Sequence, residues 1–309
     1  MSHPSERNHP EPAASALDLI GGTPVVRINR ITAGLNPAVR IYAKLERGNP
    51  GGSVKDRPAF RMIEDAEKAG LLTRDKIILD SSSGNTGIAY AMIGAVKGYR
   101  VKIVIPGNAS VERKKIMKGF GAELVLSSPF EGADGAIRMA KEILADDPDR
   151  YFQPDQYNNP SNAKAHELTT GPEILSQTQG TISHFIACVG TGGTIMGTGR
   201  ALKRHNPSIR ILSVHPDDAM HGIEGTKYLE EGAIVPGIFD KGFPDERLTM
   251  STEAAYDMTK RLAREEGLFV GHSSGAALAA SLKVAEQLAE GVVVVMFPDG
   301  GDRYLSREI

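Results

Sequence analysis

The stretch Phe185-Ile186-Ala187-Cys188-Val189 runs directly into Gly190-Thr191-Gly192-Gly193-Thr194, and a helical pattern continues to His205. An apolar strand, a glycine-rich turn and a helix form the unit from which open α/β sheets are wound. Glycines let the backbone turn so that several N–H groups face one anion, and the helix start adds positive potential. Thr191 and Thr194 add hydroxyl donors. Taken alone, such a loop is either a tight turn without a ligand or a cradle for phosphate. It is not a dinucleotide fingerprint, because Ile195 stands at the third glycine position, and no Gly-Lys-Ser/Thr marks a P-loop. A compact phosphate without a nucleotide is the functional reading.

The same unit recurs in both directions along the chain. Short apolar runs predict strands over 41–45, 77–79, 101–105, 123–126, 185–189, 211–214 and 292–297. Helices are predicted over 58–69, 86–97, 110–120, 133–144, 194–205, 252–266 and 274–290. In the stretch from Ala133, the residues Ala136, Ile137, Ala140 and Ile143 to Leu144 fall near one helical face. The alternation argues for an α/β fold with mainly parallel, helix-covered sheets. The Asn-, Gln- and Pro-rich segment Tyr151 to Asn162 interrupts it, which predicts a junction near residue 160 between an N-terminal domain (1–160) and a C-terminal domain (161–309).

Bulk properties narrow the function classes. The 309 residues suffice for two α/β domains, with 40% hydrophobic and 24% charged residues. A formal net charge of −2 gives no reason to expect nucleic acid or an anionic membrane as partner. Cys188 is the one cysteine, which excludes an intrachain disulfide and a cysteine-cluster metal site. Apolar runs such as Val292 to Phe297 are too short to cross a bilayer. Met1 to Ser15 is polar, without a signal-peptide core, and reads as a disordered lead-in. A cytoplasmic location is expected, and His166, His215 and His221 lack metal-ligand spacing.

Three further polar loops open predicted helices. Ser81-Ser82-Ser83-Gly84-Asn85-Thr86-Gly87 offers hydroxyls, an amide and helix-start N–H groups, suited to a substrate carboxylate. The plainer reading makes Ser83 or Asn85 an N-cap. Gly271-His272-Ser273-Ser274-Gly275-Ala276-Ala277 divides in the same way between a cap and a site. In Asn49-Pro50-Gly51-Gly52-Ser53-Val54-Lys55-Asp56-Arg57, Lys55 is either an exposed charge or a nucleophile whose burial depresses its pKa.

These loops, in this order, resemble the cysteine synthase and cystathionine β-synthase family of fold type II pyridoxal phosphate (PLP) enzymes. Leu19-Ile20-Gly21-Gly22-Thr23-Pro24-Val25, Gln156-Tyr157-Asn158-Asn159-Pro160 and Pro298-Asp299-Gly300-Gly301-Asp302-Arg303-Tyr304-Leu305 extend the similarity from about Leu17 to Leu305. The resemblance implies a two-domain, tryptophan synthase β-like fold, with a mobile substrate-closing part near 85–145 and the strand segment near 25–48 packed in the other domain. It implies that Lys55 forms the Schiff base, Asn85 bonds the cofactor's phenolic oxygen, and Gly190, Thr191, Gly192, Gly193 and Thr194 hold its phosphate. Ser273 would face the pyridine nitrogen, and Ser82, Ser83, Thr86 and Gln156 would bind the substrate α-carboxylate. Segment Ser110 to Leu126 would close over the substrate.

A serine, unlike an aspartate, need not keep the pyridine nitrogen protonated, so the ring is a shallower electron sink. That favours loss and replacement of a β-substituent over transamination. The implied reaction joins sulfide to an activated serine such as O-acetylserine through an aminoacrylate, with Lys55 as α-proton base. Cystathionine β-synthase chemistry with homocysteine and a silent PLP-fold scaffold are the alternatives. A homodimer is implied. His272 replaces the family's usual apolar residue and reads as a tolerated neighbour, and Cys188 reads as core. Segment Met220 to Asp240 looks closer to bacterial cysteine synthases, including the B type. Lys227 within it is either solvated or attracts an anionic leaving group or sulfur donor.

Overall fold

A computed structural model describes residues 12–82, 84–229 and 235–306. The chain enters through β1 (Val25–Arg27), β2 (Val39–Leu45) and α1 (Asp56–Lys68). It continues through β3 (Ile77–Ser81), α2 (Asn85–Lys97), β4 (Arg100–Pro106), α3 (Val111–Gly119), β5 (Glu123–Ser127), α4 (Gly132–Asp146) and β6 (Tyr151–Phe152). Next come α5 (Pro160–Leu168), α6 (Thr170–Gln177), β7 (His184–Cys188), α7 (Gly193–His205) and β8 (Arg210–Pro216). The last elements are β9 (Glu246–Met250), α8 (Thr252–Glu266), α9 (His272–Ala285) and β10 (Gly291–Phe297).

The strands form two sheets. One has the order β5-β4-β3-β6 and is parallel throughout. The other has the order β1-β2-β10-β7-β8-β9, parallel except for the antiparallel edge pair β1–β2. The expected α/β class with mainly parallel sheets is therefore the observed one. Strand β10, last in sequence, lies centrally between β2 and β7, and Val292 to Phe297 are all buried, as a strand covered on both faces requires. Its position brings the segment after Phe297 beside the loop after β7. Carboxyl ends of parallel strands are where such sheets bind ligands.

Sequence periodicity locates the apolar strands and misses elements buried by other means. Edge strand β9 is mostly exposed and polar, so it carries no apolar run. In α5 the buried side chains are Ser161, Asn162, Ala163, Ala165 and His166, which present no apolar stripe. The Tyr151 to Asn162 interruption proves to hold β6 and the start of α5.

Beneath the loop carrying Lys55 lies a buried ionic cluster. Arg57 donates to Glu46 at 2.7 Å and to Glu173 at 2.6 Å, and Lys44 donates to Glu173 at 2.7 Å, to the Thr23 carbonyl and to Gln177. The cluster ties β2, α1 and α6 together, and every charge in it faces an opposite one. Pairing of this kind is what makes such burial tolerable.

Candidate active site

Lys55 caps α1 on a loop fastened to the end of β10. Ser53 pairs with Asp299 as an isolated antiparallel bridge, and Val54 N–H donates to the Pro298 carbonyl at 2.8 Å. The lysine side chain borders two adjoining cavities. Its amine sits below the ordinary lysine value because burial disfavours the charge, with Asp299 opposing. Lys55 is therefore not the exposed charge of the plainer reading.

The inner cavity is lined by Lys55, Asn85, Gly190, Thr191, Gly192, Thr194, Ser273 and Asp299. Gly192 caps α7 at φ +89°, a left-handed conformation that favours glycine. The turn leaves the first amides of α7 without intrahelical acceptors, and this is the arrangement that takes an anion. Gly193 is fixed by its neighbour: a Cβ there would stand 1.9 Å from Asn162 Oδ1. Ser273 lies in the first turn of α9, and Cys188 reaches its carbonyl with Sγ at 3.2 Å. Cys188 thus forms part of the inner wall, with burial pushing its thiol up to about 12. The residues fit PLP: a glycine-turned helix start for phosphate, a desolvated lysine for the aldehyde, and a hydroxyl in place of an acid for the ring nitrogen.

The outer cavity is lined by Lys55, Ser82, Asn85, Thr86, Gln156, Thr191 and Lys227, among others. Thr86 donates to Gln156 Oε1 at 2.8 Å. Gly84 is the N-cap of α2, and the preceding Ser82 hydroxyl oxygen accepts from the amides of Gly84 at 3.2 Å and Gly87 at 3.0 Å. Ser82 thus steadies the start of α2 and also borders the outer cavity. Ser83 lies outside the described residues. Asn85 is held elsewhere, its Nδ2 donating to Asp299 at 2.7 Å and its Oδ1 accepting from Arg303.

Several residues with contacts in the site carry no motif of their own. Asn162 donates to the Gln156 carbonyl and to Thr191, joining the two cavities. His166, read as structural from sequence, contacts Thr194 through Nε2 at 3.3 Å and Thr170 through Nδ1 at 2.9 Å. Burial, with Arg57 and Lys55 nearby, holds its pKa well below the usual histidine range, so it acts as a neutral imidazole. Arg113 of α3 lines the outer cavity, pairs with Glu224, and lies 4.7 Å from the Tyr304 ring centroid.

His272 points into an aromatic stack, 4.0 Å from Tyr256 and 5.1 Å from Tyr304 between ring centroids, and borders neither cavity. Lys227 does border the outer cavity, with Nζ 5.3 Å from the Tyr157 ring centroid. His215 bonds Ser213 within β8, and His221 accepts from the Ile223 amide.

Comparison with known proteins follows the same lines. The model of the family described as "Pyridoxal-phosphate dependent enzyme" matches residues 16–299. A cysteine synthase of Aquifex aeolicus is 51% identical over 307 residues, covering 96% of this chain and 94% of that protein. A cysteine synthase structure from Entamoeba histolytica superposes with a TM-score of 0.92 at 38% identity, covering 99% of this chain and 92% of that one. An O-acetylserine-dependent cystathionine β-synthase structure from Helicobacter pylori gives a TM-score of 0.90 at 37% identity, covering 96% and 98%.

Proposed function

The chain belongs to the PLP-dependent cysteine synthase family, and we propose that it replaces the β-oxygen substituent of O-acetylserine or a similar activated serine with sulfide, producing L-cysteine. One observation carries the reading: Lys55 borders both the cavity with the phosphate loop and Ser273 and the cavity with Ser82, Thr86 and Gln156.

Bound PLP supplies an electron sink for negative charge at the substrate α-carbon. The amides at the start of α7 and the hydroxyls of Thr191 and Thr194 hold its phosphate. Ser273 would face the pyridine nitrogen without needing to protonate it, and Asn85 would donate to the phenolic oxygen. Ser82, Thr86 and Gln156 hold the substrate carboxylate at the N-terminus of α2, where the helix dipole favours an anion. That placement directs the α-hydrogen toward Lys55. With its pKa lowered by burial, the Lys55 amine accepts the α-proton and later returns it. Departure of the β-group and entry of the sulfur nucleophile both occur at the outer cavity. Arg113 of α3 and Ala136 and Ile137 of α4 line that side and limit water.

Homocysteine as nucleophile is a second reading, favoured by the likeness to the Helicobacter protein. A side-by-side assay of sulfide and homocysteine against acetylserine, phosphoserine and serine tests both. Sulfide with acetylserine is expected to give the highest kcat/KM. A higher value for homocysteine would transfer the assignment to the second reading. Lys55→Ala is expected to abolish turnover with the fold intact, and borohydride is expected to fix the cofactor onto Lys55 in the parent protein alone.

A further inference from the structure

The segment Pro298 to Leu305 surrounds Asn85 with opposite charges at the two ends of its amide. Asp299 is fully buried at the end of β10, and its Oδ2 accepts from Asn85 Nδ2 at 2.7 Å and from the Tyr304 hydroxyl at 2.7 Å. Arg303, also buried, donates to Asn85 Oδ1 and to the Gly51 carbonyl on the Lys55 loop. A flipped amide would set oxygen against carboxylate and NH₂ against guanidinium. The orientation is therefore fixed by charge, and one Nδ2 hydrogen stays available for another acceptor. Asp299 Oδ1 makes no hydrogen bond with any described residue, and Asp299 lines the inner cavity together with Lys55.

We propose that Asp299 is a positioning residue for the reaction: it aims the Asn85 amide and places negative charge beside the Lys55 nitrogen, favouring the protonated Schiff base. The inference rests on the reading of Lys55 as the PLP lysine. Its physical basis is desolvation. A cationic nitrogen taken out of water is disfavoured unless an anion stands close, and an opposite charge within about 4–6 Å moves a pKa by about 1–3 units. Asp299 is the charge that opposes desolvation at Lys55. Arg303 turns its guanidinium to Asn85 Oδ1 and the Gly51 carbonyl, while Asp299 lines the inner cavity beside Lys55.

The test is a pH titration of the visible absorbance of the reconstituted holoenzyme, comparing the parent with Asp299→Asn, Asp299→Ser and Tyr304→Phe. Both charge-removing variants are expected to lose the protonated-imine band about 1–3 pH units lower than the parent. Tyr304→Phe keeps the charge and is expected not to show that downward shift. Two chemically different neutral variants guard against one that fails to fold. A folded neutral variant with the parent's midpoint overturns the proposal, even if its thermal stability falls. Failure of the parent to form a borohydride-fixable band on Lys55 would instead overturn the cofactor reading itself.

Discussion

Asn162 Nδ2 bridges the Gln156 carbonyl at 2.7 Å and the Thr191 hydroxyl at 3.0 Å, connecting the substrate side of the site to the phosphate loop. Asn162 is buried, so losing its amide takes a hydrogen bond from each of the two acceptors. Asn162→Ala is expected to cost about 1–3 kcal/mol in loop ordering, read as a PLP Kd raised by roughly 5- to 150-fold. Asn162→Asp keeps the shape, cannot donate, and sets an anion near the phosphate site, so its affinity should fall further. Titration of the apoprotein with PLP checks the order. Parent-like affinity in both variants would sink the idea.

The Arg113–Glu224 ion pair joins α3 to the loop after β8, and Glu112 accepts from the amide and hydroxyl of Ser306 nearby. These contacts anchor α3, whose Arg113 lines the outer cavity. Glu224→Gln removes the charge while keeping the shape, and loosens that anchorage. Water then competes with the sulfur nucleophile, so the expected result is a several-fold rise in pyruvate and ammonia relative to cysteine. Product partitioning measured at fixed sulfide concentration decides it. An unchanged ratio would show that α3 is held in place without this pair.

The backbone scaffold was legible where burial is apolar. Val292 to Phe297 reads as a covered strand because water is excluded from both its faces, and the loop after β7 reads as an anion cradle because its glycines allow turns that other residues avoid. Lys55, Asn85 and Ser273 emerged through the order of the loops, since a lone lysine or serine carries no local signature. Asn162, His166, Arg113 and Asp299 remained hidden in function because their meaning lies in partners distant in sequence, such as Asp299 with Asn85. The motif around Asp299 was visible, but only its charge placement against Arg303 gives it a role. Cys188 was read as core and does pack at a strand end, yet the wall it forms faces the inner cavity.

Arg57, two residues after Lys55, satisfies the buried carboxylate of Glu46 and the half-buried one of Glu173. Arg57→Met would leave Glu46, which is fully buried, with the Thr23 hydroxyl and the Asn49 amide as its hydrogen-bond donors among the described residues. Breaking such a pair costs about 3–5 kcal/mol. The expected outcome is a large loss of stability in urea unfolding, accompanied by weaker cofactor retention as the Lys55 loop loosens. Replacing all four charged partners with apolar residues together should cost much less than Arg57→Met alone. If the single variant unfolds at the same urea concentration as the parent, the cluster is not the platform described here.

Asp80 lies at the end of β3 under the loop that carries Ser82, with Oδ1 accepting from the Ser81 amide at 2.8 Å. Burial pushes its carboxyl up to about 7, from an ordinary value of 3.8. The folded chain therefore holds this proton more tightly than the unfolded chain. The stability it contributes is fully present below about pH 4 and is lost as pH rises through about 7. Asp80→Asn cannot ionise and keeps an oxygen for the Ser81 amide. Relative to the parent, the variant should gain stability between pH 5 and pH 8, on the order of a few kcal/mol. Urea unfolding at several pH values supplies the measurement, and the difference between the two proteins removes the contribution of other titrating groups. Asp56 is pushed to about 7 by the same cause, but it adjoins Lys55, so its replacement would mix stability with catalysis. Parallel stability curves for parent and Asp80→Asn would mean that Asp80 titrates alike in both states, and that its burial is relieved in a way the fold does not predict.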